Sequence, residues 1–375
     1  MFPSRRHLLL CVTFITLSLL LLLLATPDWY RPVRPMQPSR PPGRSPSSID
    51  RDTGRTVGSG GGQRVRDGKQ GARPAGSRPT VRRGKGSAAA AGGAPCPSGL
   101  FTTISAHGRL GNKLCEYATL WTLQRDDPRA RPAWILPEMQ RALSPLFGKL
   151  PLPTLPQSCV KSESHFLKVK YSKFDQMASA KRRRPILISD YPCDAKRFHK
   201  YRDTILRQLT FRDSVHQEAQ RRLRQSTDAL CDGLPPCTYI GVHVRRTDYR
   251  TAVRRMYKGT LVGERYLTRA LQLCRRRYRR PVFVVSSDDL SWVRRRLRGP
   301  DIVIAGSGGA GSAERDLALL AQCNHTVMTH GTYGFWAAYL AQGDVFAPTG
   351  FGARDSFLSA AMGQTDLNIT MVPAF

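Results

Sequence analysis

Three short segments of this 375-residue chain hold residue types suited to charged or hydroxyl-rich ligands. The first, Arg245-Arg246-Thr247-Asp248-Tyr249, follows an apolar run, Thr238–Val244, whose penultimate residue is His243. Adjacent guanidiniums can offer bidentate hydrogen bonds to a phosphate, and a carboxylate such as Asp248 can hold one of them in place. In a chain with this much arginine such a pair also reads as solvated charge; the apolar strand ahead of it favours a site. The second segment runs from His107 through Gly108, Arg109, Leu110, Gly111 and Asn112 to Lys113, then into Leu114, Tyr117, Ala118 and Trp121 at helical spacing. Glycines that let backbone approach a ligand, set before a helix N-terminus, suit an anion or a sugar. Their spacing matches neither the full dinucleotide fingerprint nor the phosphate-binding loop. The third segment, His330-Gly331-Thr332-Tyr333-Gly334, is a turn into Phe335, Trp336 and Ala337, and reads equally as a plain tight turn. No Cys-x-x-Cys pair or Cys/His cluster stands at zinc-ligand spacing, so no metal site is expected.

These segments need a frame that brings them together. From about Ser98 onward short apolar runs alternate with amphipathic stretches. Strands are expected over Thr238–Val244, Pro281–Val285, Asp301–Ala305, His325–Thr329 and Asp344–Ala347, and helices over Tyr266–Arg277, Leu290–Leu297, Asp316–Cys323 and Phe335–Ala341. Strands alternating with helices imply a parallel, doubly wound α/β sheet from Pro236 to the C-terminus, with ligands at the carboxyl ends of its strands. Residues 98–235 are long enough for another α/β domain, and no internal repeat is visible.

Composition narrows the partners. The chain carries 59 Lys+Arg against 27 Asp+Glu, a formal net charge of +32, which first suggests a polyanion. Between Thr26 and Pro95, however, lie 14 Lys+Arg against 4 Asp+Glu in a Pro/Gly-rich stretch that cannot bury enough apolar surface to fold. That charge needs no binding surface. Leu8–Ala25 is an uncharged, leucine-rich run preceded by Arg5, Arg6 and His7, about one bilayer crossing. A cleaved signal peptide is the rival reading, but Ala25-Thr26-Pro27 supplies a poor cleavage site. The expected order is therefore a cytosolic tail (1–7), a signal anchor (8–25), a flexible basic stem (26–97) and a lumenal folded region, which removes nucleic acid from the partners.

The three segments together resemble the galactoside α-1,2-fucosyltransferases. The resemblance is carried by Gly108–Leu120, Val242–Tyr249, Leu319–Thr326 and Gly331–Leu340, with weaker likeness at Ile135–Pro137 and Tyr191–Cys193, and covers about Leu100 to Asp344. It implies a GT-B-like fold of two Rossmann-like domains facing a cleft, 98–235 on the acceptor side and 236–375 binding GDP-fucose. It also implies inverting, metal-independent transfer of fucose to a terminal β-galactoside of glycoprotein or glycolipid glycans, in a Golgi type II membrane protein. His243, Arg245, Arg246, Asp316, Gly331, Thr332 and Tyr333 are thereby implied in holding the donor, with His243 and Asp316 at guanine and Arg245 at the β-phosphate. Arg245, Arg109 and Asn112 are implied at the reacting sugar. Fucose is transferred as pyrophosphate departs, so the largest electrostatic demand falls on the leaving group, and arginine can meet it. For the general base, Asp248, Glu116, Glu264, His107 and Asp190 all stand on residue type alone. Lys113 departs from the family's usual Gln, Thr247 from a common Gly, and the chain lacks the longer C-terminal extension of well-known members. These departures keep open a catalytically impaired, lectin-like or polyanion-binding protein and a fucosyltransferase with another acceptor.

Other features read as structural. Cys231 and Cys237 bracket a short loop and form either a disulfide or a pair of free thiols. Asn324 and Asn368 begin glycosylation sequons, Asn368 being the better candidate. Lys181–Arg184 and Arg275–Arg280 read as solvated basic faces. Oligomeric state, including a homo-oligomer, is left open.

Overall fold

The computed structural model describes residues 95–375, except 128–130, 161–164, 179–183, 233–235, 309–310, 353–361 and 364. The expected cytosolic tail, the anchor, almost all of the stem and 181–183 of one basic face lie outside the described residues. Among the described residues no helix is long and apolar enough to cross a membrane.

Six parallel strands form the larger sheet: β4 (Thr238–Val244), β5 (Pro281–Ser287), β6 (Ile302–Ile304), β7 (His325–Met328), β8 (Val345–Thr349) and β9 (Ile369–Pro373). Their spatial order is β6-β5-β4-β7-β8-β9. Starting at β4 the chain builds outward through β5 and β6, returns to the other side of β4 at β7, and continues to β8 and β9. That is the doubly wound order whose direction reverses between the two inner strands, β4 and β7. Alternation along the strands feeds both faces. Ile240, Val242 and Val244 pack with Phe283 and Val285 into one core beneath α3 (Tyr249–Tyr257), α4 (Glu264–Arg277) and α5 (Leu290–Arg296). Val284 turns to the opposite face, against Leu223 of α2 (Asp213–Cys231) and Leu319 of α6 (Ser312–Leu320).

A smaller parallel sheet, in the order β1-β3-β2, joins β1 (Thr102–Ile104), β3 (Ile186–Ile188) and β2 (Leu167–Val169). Between the sheets run two largely buried helices, α1 (Leu110–Asp126) and the wholly uncharged α7 (Gly331–Ala341), in one core that takes in Ile104 and Ile188 from one sheet and Val345 from the other. A helix without a polar face is one buried all round. Trp336 of α7 stacks on Phe198 at 5.5 Å and donates from its indole to Cys115 of α1.

Several boundaries differ from the expected ones. Residues 331–334, expected as a turn, are the first turn of α7: Gly331 takes a φ of +90°, which brings the chain from β7 straight into the helix. Likewise α6 starts at Ser312, so Asp316 lies within the helix. The sixth strand, β9, extends the sheet beyond the five expected. Three disulfides close Cys96–Cys159, Cys115–Cys193 and Cys231–Cys237, the last deciding between the two readings of that loop.

Candidate functional site

The reversal point gathers two of the three chemical segments directly. Beyond β4 the chain turns out through Arg245–Asp248, and beyond β7 it passes Thr329 and His330 into α7. Thr329 joins the two exits: its amide donates to the His243 carbonyl at 3.1 Å, and its hydroxyl accepts from the Arg245 amide at 2.8 Å.

Arg245 is held by two carboxylates. Its guanidinium donates to Asp248 and to Asp288, each at 2.5 Å, and its side chain is only 12% exposed. Asp288, at the end of β5, also accepts from the amides of Arg246 (2.8 Å) and Thr247 (3.2 Å) and from the Thr247 hydroxyl. Burial alone would raise the Asp288 carboxyl, but the Thr247 hydroxyl, the Arg245 charge and the Arg246 amide outweigh it and hold it below the usual carboxylate range. The loop is therefore fixed around an ionised aspartate, with the Arg245 guanidinium clamped between two carboxylates.

Arg246, expected beside Arg245 on a phosphate, is engaged elsewhere. Its guanidinium lies 3.8 Å from the centre of the Trp292 ring, and its Nε stands 3.8 Å from Asp289. Asp289 in turn accepts from Arg250 at 3.0 Å. The cation–π contact and the ion pair hold the Arg246 guanidinium on Trp292 beside Asp289.

His243 is buried, its Nδ1 has no hydrogen-bond partner, and its ring lies 4.9 Å from Tyr333. Burial, with the nearby Arg245 charge adding to it, pushes the imidazole down to about 3, so it is neutral at physiological pH. Asp316, expected at guanine, is also buried and already bonded: to Ser307 through amide and hydroxyl at 3.0 Å each, to Ser286 at 2.8 Å and to Arg222 at 3.3 Å. A base read by Asp316 must share that carboxylate with Ser307 or displace it.

The second segment, His107–Lys113, arrives from the other sheet. Gly111 lets α1 meet α7 so closely that a Cβ there would lie 2.4 Å from the Tyr333 amide nitrogen. One residue on, the Asn112 side-chain oxygen Oδ1 accepts from the Thr332 hydroxyl at 2.7 Å. Arg109 reaches Asp248 at 3.6 Å. Lys113, the charged departure, folds back and donates to the Gly108 carbonyl at 2.6 Å. Arg109, Asn112, Arg245, Gly331, Thr332 and Tyr333 thus form one neighbourhood, with Asp316 below Tyr333 across the Tyr333-to-Ala313 hydrogen bond of 2.7 Å.

Among the base candidates, Asp248 is paired with Arg245, and Glu264 with Arg296 at 3.2 Å on α4. His107 follows β1 and Asp190 follows β3, while Glu116 lies on α1 and is coupled electrostatically to Asp190. Sequence reading missed Asp288, Arg222, Thr329 and Trp292. Asp288 and Thr329 follow strand ends, and the rule applied to β4 would have found them; Arg222, on an amphipathic helix far upstream, carries no such signal. Of the two sequons, Asn324 accepts from the Tyr239 amide at 2.8 Å, and the Asn368 side-chain nitrogen donates to Asp344 at 2.7 Å. Among the described residues no group of three or more His, Cys, Asp or Glu could hold a metal ion.

A parallel sheet with a clamped arginine and a glycine-led helix N-terminus at its reversal point defines a doubly wound α/β protein, the class whose ligands sit at that point. A family model described as glycosyl transferase family 11 matches residues 88–361, and the chain belongs to that family. It is 43% identical over 259 residues to galactoside alpha-(1,2)-fucosyltransferase 2 of Sus scrofa, covering 68% of this chain and 74% of that one. The protein of the same name from Bos taurus is 41% identical over 259 residues, covering 68% and 73%. Among solved structures, Arabidopsis thaliana FUT1 in complex with GDP aligns at a TM-score of 0.43 and 14% identity, covering 68% of this chain and 71% of that one. The α-1,6-fucosyltransferase NodZ soaked with GDP-fucose aligns at 0.40 and 17%, covering 64% and 92%.

Proposed function

We propose that the chain is a galactoside α-1,2-fucosyltransferase, moving fucose from GDP-β-L-fucose to the 2-hydroxyl of a terminal β-galactose with inversion. The observation that carries this reading is Arg245, fixed by Asp248 and Asp288 at the reversal point of the sheet, beside the N-terminus of α7. The names of the relatives supply the sugar, the acceptor class and the linkage. In the reaction the acceptor oxygen bonds to the anomeric carbon and gives up its proton to a base or to water, while the bond to the β-phosphate oxygen breaks and GDP keeps the electron pair. Arg245 stabilises that growing charge, aided by the positive end of α7. Thr332 and Asn112 join the donor side to Arg109 across the α1–α7 contact.

A GT-B-like pairing of two Rossmann-like domains, 98–235 and 236–375, belongs to the same proposal, as does Golgi residence with the folded region lumenal behind the Leu8–Ala25 anchor. Three disulfides support an oxidising compartment. The deciding experiment is transfer of labelled fucose from GDP-fucose to lactose and to type 1 and type 2 glycans, followed by linkage analysis. An α-1,2 product is expected, and no product with any β-galactoside overturns the reading. Because a guanidinium serves the leaving group, EDTA should leave the rate unchanged; loss restored by manganese would assign that task to a cation.

A further inference from the structure

Glu116, on α1, is fully buried, and neither of its carboxyl oxygens has a hydrogen-bond partner. Leaving such a group unpaired in the interior is costly, the more so if it is charged. Burial raises its pKa well above the usual range, with Lys113 opposing and Asp190 adding, so the carboxyl is drawn to its neutral, hydrogen-donating form. The groups coupled to it electrostatically are Lys113 on its own helix, and Asp190 and Tyr191 just beyond β3.

These groups open outward. Tyr191 is one of the few large apolar side chains at the surface, 36% exposed, and its ring lies 6.0 Å from that of His107, which follows β1 and is itself exposed. Asp190 is half-buried and accepts from the Tyr171 amide through Oδ1 at 2.8 Å. The cluster adjoins the donor side, because the loop that carries His107 continues into Arg109 and Asn112, which reach Asp248 and Thr332. An exposed aromatic ring bordered by a carboxylate and an imidazole suits a sugar: the ring covers its apolar C–H face while the polar groups bond its hydroxyls. Parallel sheets hold ligands at the carboxyl ends of their strands, which is where β1 and β3 place these residues.

We propose that this cluster seats the terminal galactoside of the acceptor, with Tyr191 under the ring and His107 and Asp190 on its hydroxyls. The proposal rests on the fucosyltransferase reading above. It is tested with the full chain in detergent, by lactose-dependent transfer kinetics alongside calorimetric GDP affinity. Tyr191→Ala is expected to raise the KM for lactose at least about tenfold and Tyr191→Phe less than about threefold, as the ring survives, with GDP affinity unchanged in both. A lactose KM within twofold of wild type for Tyr191→Ala overturns the seat.

Diethyl pyrocarbonate footprinting of the wild-type chain reaches the same question without a variant. Lactose should protect His107 while the exposed His165 and His216 react as before; equal labelling of His107 with and without lactose overturns the seat. A wild-type chain that transfers to no β-galactoside overturns the parent reading instead, and the footprint then decides the seat alone.

Discussion

The carboxyl ends of the two sheets are built in opposite ways. At the large sheet Arg245, Arg246 and Arg250 are matched with Asp248, Asp288 and Asp289, so charges are fixed in place before any ligand arrives. At the small sheet Glu116 has no partner for either oxygen, and Asp190 gives up one oxygen to a backbone amide. The first arrangement suits a doubly charged leaving group, whose binding needs preorganised opposite charge. The second, with the exposed His107 and Tyr191 and the half-buried Asp190 at its edge, suits a neutral ligand rich in hydroxyls. Two kinds of substrate are thus reflected in two styles of polar bookkeeping.

That contrast can be broken at the large sheet first. Arg245→Lys keeps a charge but loses the fork that Asp248 and Asp288 hold, and kcat should fall by about 10²–10³ in steady-state transfer assays. Near-normal turnover would mean the diphosphate is held elsewhere. Asp288→Asn leaves Arg245 in place but loosens its clamp and the Thr247 turn. A fall in kcat of roughly 10- to 100-fold is expected, since small misplacements of a charge-stabilising group are costly. If instead only the KM for GDP-fucose rises, Asp288 shapes binding rather than the transition state.

A smaller effect joins the two regions. Gly111→Ala places a methyl against the Tyr333 backbone and should destabilise the fold by about 1–3 kcal/mol, seen as a Tm lowered by several degrees. An unchanged Tm would show that α1 can back away from α7 freely. The smallest effect is acid sensitivity. His243 and His330 are both buried and pushed down to about 3 from an ordinary 6.5, chiefly by burial. Each stays neutral in the fold while the unfolded chain takes up a proton below about pH 6.5, so their stabilisation is complete above that pH and is lost progressively toward pH 3. Urea midpoints should be flat above pH 7 and decline below 6.5. A midpoint unchanged at pH 5 would mean that both rings protonate without unfolding.

How much of this was legible in the residues follows from burial. The central strand β4 lies where its apolar run places it, because both of its faces are covered and the pattern is continuous. The edge strand β9 alternates in exposure and ends in proline, so nothing in Ile369–Pro373 separates it from a tail. Arg245 and Arg246 look equivalent as letters; their different fates depend on Trp292 and Asp288, which only the folded sheet brings alongside. The Cys231–Cys237 bridge spans a short loop and could be read locally. Cys115–Cys193 joins residues 78 apart, whose meeting depends on the packing of α1. Motif residues were readable where a strand end announced them, whereas their supporting partners came from distant helices and neighbouring strands.

The hydrogen bond from Thr332 to Asn112 joins residues 220 positions apart. Contacts of such long range form late in folding, after many loops have closed. A chain still emerging from the ribosome lacks this junction between α1 and α7 until the second helix has been made, however well the earlier pieces fold. Enzymatic competence in this molecule doubles as a report that synthesis and folding have run to the end.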